Sequence, residues 1–131
     1  MATGHRIPND LYNSAMSASN IIVDPGSEIT GTGPTIPVTI SGGVCRMDRG
    51  TGDGCRTLQS PATVPVGVEV TLISSGGSGD STIKYTGYDG GSTKAEIEMD
   101  NDGDWVRLIC LNGPLETNYW RAVASDGVAF S

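Results

Sequence analysis

The sequence predicts an all-β domain, an antiparallel β-sandwich or jelly-roll-like fold preceded by an extended N-terminal arm. Three observations predict it. Gly and Pro number 19 and 7 in 131 residues, well above ordinary usage, and both are the poorest helix residues. Short apolar runs alternate with period two and are cut by turn signals at close intervals. No strand–helix–strand alternation appears, which argues against a parallel α/β sheet.

The first 35 residues differ from the rest. They are rich in Ser, Asn, Ala, Thr and Gly, with one apolar patch at Ile21, Ile22 and Val23. Asp24-Pro25-Gly26 and Gly31-Thr32-Gly33-Pro34 are dense turn signals. Asp10 to Asn20 has the composition for a turn or two of helix but no good cap. Residues 1–35 therefore read as an arm and 36–131 as the β-sandwich domain.

Strand patterns begin at Thr35, where Ile36, Val38 and Ile40 alternate. Pro37 marks an edge or a strand start because it has no N–H to give. Val44 to Met47 and Cys55 to Leu58 follow, flanking a Gly-rich loop. Val66 to Ile73 has the clearest alternation. Thr82 to Thr86, Lys94 to Met99, Trp105 to Leu111, Asn118 to Ala124 and Val128 to Phe130 complete eight to ten strands. Asp102-Gly103 reads as a hairpin turn between the Met99 and Trp105 strands.

The net charge is −7, from 15 acidic and 8 basic residues. Such a surface repels phosphate, which argues against direct nucleic-acid binding. No apolar run reaches the ~18 residues of a membrane span. The Met1 to Arg6 stretch lacks the apolar core of a signal peptide, so a cytosolic origin is expected. Cys45, Cys55 and Cys110 are odd in number and make a poor disulfide framework. Cys45 and Cys55 flank the Gly-rich loop, where a hairpin would bring them together. The simpler expectation is small, half-buried thiols, with Cys110 in the core.

The sequence carries no catalytic constellation, cofactor motif or metal set. The one histidine, His5, lies in the least core-like segment, away from any partner a nucleophile would need. Asp100, Asp102 and Asp104 have the first spacings of a calcium loop, but Trp105 stands where Gly is needed and Leu111 where Glu is needed. Glu96 and Glu98 share the solvated side of a strand, the only carboxylate cluster a glycan hydrolase reading has to offer beside Asp100 and Asp102.

The aromatic residues point to assembly. Trp105 alternates with Arg107, Ile109 and Leu111, while Val106, Leu108 and Cys110 occupy the other face. Both faces are largely apolar, as in a sandwich centre or a subunit contact. Trp105, Trp120 and Tyr119, with Ile21, Ile22 and Val23, are the candidate interface residues, since Trp and Tyr anchor interfaces and an extended apolar segment can add to a sheet edge.

The segments Arg56-Thr57-Leu58-Gln59-Ser60-Pro61, Val66 to Leu72, Gly103-Asp104-Trp105-Val106-Arg107-Leu108 and Tyr119-Trp120-Arg121-Ala122-Val123 resemble, over about residues 55–125, the small β domains of tailed-bacteriophage virion proteins. These include capsid decoration (cement) proteins, head fibres and tail-fibre modules. The resemblance implies a non-enzymatic homotrimer on the capsid exterior, assembled in the host cytoplasm. Its partner would be the major capsid protein, whose neighbouring subunits it bridges with the help of an N-terminal arm. The competing expectation is a tail-fibre or receptor-binding module that recognises host surface glycan.

Overall fold

The structure, a computed structural model, describes residues 20–29, 31–50, 53–113 and 117–131. The chain is all-β, as the sequence predicts. Its strands are β1 (Ile21–Ile22), β2 (Thr35–Ile36), β3 (Gly43–Asp48), β4 (Gly54–Leu58), β5 (Glu69–Ser75), β6 (Ser81–Asp89), β7 (Ser92–Met99), β8 (Trp105–Gly113), β9 (Thr117–Asp126) and β10 (Val128–Phe130). They form one sheet in the order β1-β3-β5-β8-β9-β6-β4-β2, with β7 beside β6 and β10 beside β7, nearly closed into a barrel.

The sheet is mixed. Pairs β1–β3, β3–β5, β2–β4, β4–β6 and β6–β9 are parallel, whereas β5–β8, β8–β9, β6–β7 and β7–β10 are antiparallel. The reason lies in the path of the chain. From β1 to β6 each strand is followed by one on the opposite wall, so odd strands collect on one side and even strands on the other. Every return to a wall arrives in the same direction, and parallel pairing follows from such crossovers. The expected antiparallel pattern holds only for the β5–β8, β8–β9, β6–β7 and β7–β10 pairs.

Two loops expected to be hairpins are therefore crossovers. β3 and β4 are not neighbours, and neither are β7 and β8. The Asp100–Asp104 segment is held instead against the end of β5. Gly103 N donates to Ser74 O and Ser74 N to Asp104 O, both at 2.8 Å. The Asp104 carboxylate accepts from Asp100 N and Asn101 N at 3.1 and 2.9 Å. All three cysteines are free.

The core lies between the walls. Cys45, Met47, Val70, Leu72, Val106, Leu108, Cys110 and Trp120 fill it from one side and Ile36, Leu58, Ile83, Ile97 and Met99 from the other. The face expected over Ala95, Ile97 and Met99 holds for the last two, while Ala95 is exposed beside a bulge of β6 between Lys84 and Gly87. The strand expected over Ile36, Val38 and Ile40 ends at Ile36. Pro37 has no N–H to continue the ladder, and Val38 N turns to the Gln59 side chain at 2.7 Å. Val66, expected in a strand, precedes β5 and is exposed.

Residues 1–19 of the expected arm, including the Asp10–Ser19 part of the expected helical turn, lie outside the described residues. Asn20, the last residue of that expected turn, is helical, and from Ile21 the segment joins the sheet. β1 pairs β3, Glu28 bridges Cys55 of β4, and β2 pairs β4, so this one segment spans the seam between β3 and β4. Gly33 makes the close approach there: at φ +66° a Cβ would fall 1.9 Å from Cys55 O.

Side-chain hydrogen bonds tie loops together at both ends of the barrel. At one, a 3-10 turn at Pro61–Thr63 receives Asn118 Nδ2, which donates to Pro61 O and Val64 O at 3.0 and 3.1 Å. At the other, the buried Arg49 guanidinium donates to Gly77 O, Gly79 O and Asp100 O. The two Gly-rich loops meet there, with Ser78 N and Gly79 N donating to Gly50 O.

Candidate functional site

Two surface features have the chemistry of recognition. The first is the outer face of β8. Its inner side chains, Val106, Leu108 and Cys110, are fully buried, while Trp105, Ile109 and Leu111 are half-buried and Arg107 is exposed. Register carries the outer face sideways. Trp105 lies opposite Ile73, which lies opposite Arg46; Arg107 lies opposite Thr71, then Val44, then Ile21. Cross-strand neighbours of this kind are ~5 Å apart. The result is a set of apolar side chains, a broken stripe of Ile21, Val44, Ile73, Trp105, Ile109 and Leu111, interleaved with Arg46, Thr71 and an Arg107–Glu69 pair at 3.5 Å. The outer face of the Trp105 strand is thus apolar at Trp105, Ile109 and Leu111 and charged at Arg107.

The six expected interface residues divide. Trp105 is half-buried on the stripe, and Ile21 and Val23 are 59% and 76% exposed. Ile22 and Trp120 are instead core residues, with 3% and 0% exposure. Neither has side-chain surface left for a partner. Strand alternation puts Ile22 inside when Ile21 is outside. The Trp120 indole N–H is satisfied by Gln59 O at 3.0 Å. Tyr119 is nearly buried and belongs to the second feature.

That feature is a cleft of about 290 Å³ lined by Tyr88, Asp89, Gly90, Gly91, Tyr119 and Arg121. It forms where β6 meets β9 in parallel, Gly87 opposite Trp120. Tyr88 and Tyr119 meet edge to face, centroids 5.6 Å apart at 62°, a favoured aromatic geometry. Arg121 Nε stands 3.8 Å from Asp89 Oδ1. Asp89 Oδ1 also accepts from Gly90 N at 2.8 Å, fixing the turn between β6 and β7. Burial, then the nearby Asp89 charge, pushes the Tyr85 phenol up to about 12. The sequence reading missed Tyr88, Asp89 and Arg121 because they converge only through the β6–β9 contact. The one local signal was Asp89-Gly90-Gly91, read as a turn.

Elsewhere the polar groups serve the fold. Glu96 pairs with Lys84. Asp102 Oδ1 accepts from Gly76 N at 3.1 Å. Glu98 is exposed, and its carboxyl is raised first by the Asp100 charge and then by desolvation and other nearby carboxylates. Among the described residues no three His, Cys, Asp or Glu side chains gather as a metal site would need; His5 lies outside them. No helix of the described residues is long and apolar enough to cross a membrane. Compared with models of known families and with curated proteins, the chain matches none.

Proposed function

We propose that this chain is a structural virion protein, a head decoration protein that binds the capsid exterior as a homotrimer and bridges major capsid subunits. The observation that carries the reading is the outer apolar stripe centred on Trp105. Monomeric proteins seldom leave large apolar patches facing water, and such patches mark contacts with other proteins. Here the stripe lies on strands whose inner faces already fill the core, and its own side chains are half-buried or exposed on the outside.

Further support comes from the resemblance over residues 55–125 and from the acidic surface, which suits an exterior position without contact with packaged DNA. The function is one of area rather than chemistry: each subunit adds modest contacts, and trimerisation multiplies them through effective concentration.

The test is native mass spectrometry of the purified chain, followed by co-sedimentation with heads of the phage that encodes it. A trimer that pellets with heads, and a Trp105→Ser variant that stays folded but does not pellet, is the expected result. A monomer that stays in the supernatant, or label on tails in micrographs, overturns it; the tail position would make the chain a receptor-binding module.

A further inference from the structure

We infer that the Tyr88–Tyr119 cleft is a binding site for a neutral hexopyranose. The cleft adjoins the Trp105 stripe, Tyr119 lying opposite Leu111 and Arg121 opposite Ile109, but its chemistry differs, and the inference stands whether or not the chain decorates a capsid.

The cleft has unspent hydrogen-bonding capacity. Among the described residues, no hydrogen bond engages the Tyr88 hydroxyl, the Tyr119 hydroxyl or the Arg121 guanidinium. The Arg121–Asp89 separation of 3.8 Å is too long for a hydrogen bond. Both side chains are about half exposed, at 56% and 44%. The cleft thus offers a planar donor fork, a carboxylate acceptor and two phenols around one opening.

The apolar part is equally suited. Tyr119 is buried and holds the half-buried Tyr88 ring from the side, so the Tyr88 ring is a fixed wall. A pyranose has one face of C–H groups that lies on such a ring and a rim of hydroxyls that give and accept hydrogen bonds. Sites of this kind combine an aromatic surface with a few convergent polar groups. At Gly90 and Gly91 a Cβ would meet nothing within 4 Å, so the rim is free of side chains and open to a ligand. The volume of about 290 Å³ lies at the small end of ligand sites, the range for a single sugar ring.

Charge selects among sugars. Arg121 and Asp89 cancel locally, and the whole chain carries −7. An anionic sugar would meet Asp89 and this field, whereas neutral hydroxyls use both partners.

The experiment is an amide NMR titration of the intact protein with methyl glucoside, methyl galactoside, N-acetylglucosamine and glucuronate. Expected are shifts confined to Tyr88–Ser92 and Asn118–Ala122 with at least one neutral sugar, saturating on the order of 1–10 mM, and weaker shifts with glucuronate. Tyr88→Leu should abolish them, and the exposed Arg121→Gln, which leaves the fold alone, should weaken binding about tenfold, one step of ~1.4 kcal/mol. No shift at these amides with any of the neutral sugars, shifts elsewhere only, or unchanged binding in Arg121→Gln overturns the inference. Pelleting of Tyr88→Leu with heads reads the assembly proposal separately.

Discussion

The Asp24 carboxylate holds the Arg56 guanidinium through two 2.8 Å bonds, Nε to one oxygen and Nη2 to the other. Arg56 is 1% exposed and belongs to β4; Asp24 follows β1 and also accepts from Asp48 N at the end of β3. One carboxylate thus ties the three pieces of the barrel seam, and Arg56 Nη2 adds a bond to Asp48 O at 3.0 Å.

Removing that carboxylate strands a buried cation. Asp24→Ala should cost about 3 kcal/mol, the lower end for breaking a buried pair. The double variant Asp24→Leu/Arg56→Met should recover much of the loss, because no unpaired charge remains. Urea unfolding midpoints measure both. A single variant as stable as the parent would mean that the seam does not depend on this pair.

The same carboxylate sets a pH dependence. Burial pushes Asp24 up, but the hydrogen bonds from Arg56, Gly26 and Asp48 together outweigh it and hold the group below its ordinary value. A depressed folded pKa gives stability that is complete above the unfolded value of about 3.9 and fades as the pH falls through the folded value. Stability should therefore fall below about pH 4, and Asp24→Asn should flatten that limb of the curve. Unfolding midpoints followed from neutral pH to about pH 3 test this; identical acid limbs in the two proteins would reject it.

The thiols should differ in reactivity. Burial, then the Asp24 charge, raises Cys45 to about 11, with Arg56 offsetting part of the rise. Burial alone raises Cys110, whose Sγ donates to the carbonyl oxygens of Pro61 and Val64 at 3.7 and 3.6 Å. At neutral pH about one Cys45 in ten thousand would be thiolate. Iodoacetamide followed by peptide mass analysis should label partly exposed Cys55 in the native protein, and Cys45 and Cys110 only after unfolding.

The two tryptophans should separate folding from assembly. Trp120→Ala empties a fully buried site and should cost about 3–5 kcal/mol. Trp105→Ala, half-buried on the outer face, should cost about 1 kcal/mol while abolishing the proposed self-association. Calorimetric midpoints and native mass read the two effects independently; equal destabilisation would place Trp105 in the core.

Local pattern in the sequence determined the all-β class, the number and rough limits of the strands, and how the side chains of β8 divide between its two faces. Period-two alternation and Gly or Pro punctuation are properties of consecutive residues, and they survive whatever the neighbours are. Pairing partners are not local. Asp102-Gly103 has the chemistry of a hairpin, yet β7 and β8 lie on different walls, and Asp104 spends its carboxylate on the loop. Trp105 and Trp120 look alike in the chain, and only the closure of the sheet left one outside and buried the other. The Asp24–Arg56 seam and the Tyr88–Arg121 cleft join residues 32 and 33 positions apart (56 − 24 and 121 − 88). Their geometry was decided by the tertiary structure, because charge pairing and aromatic contact depend on distance in space, which one strand's pattern does not encode.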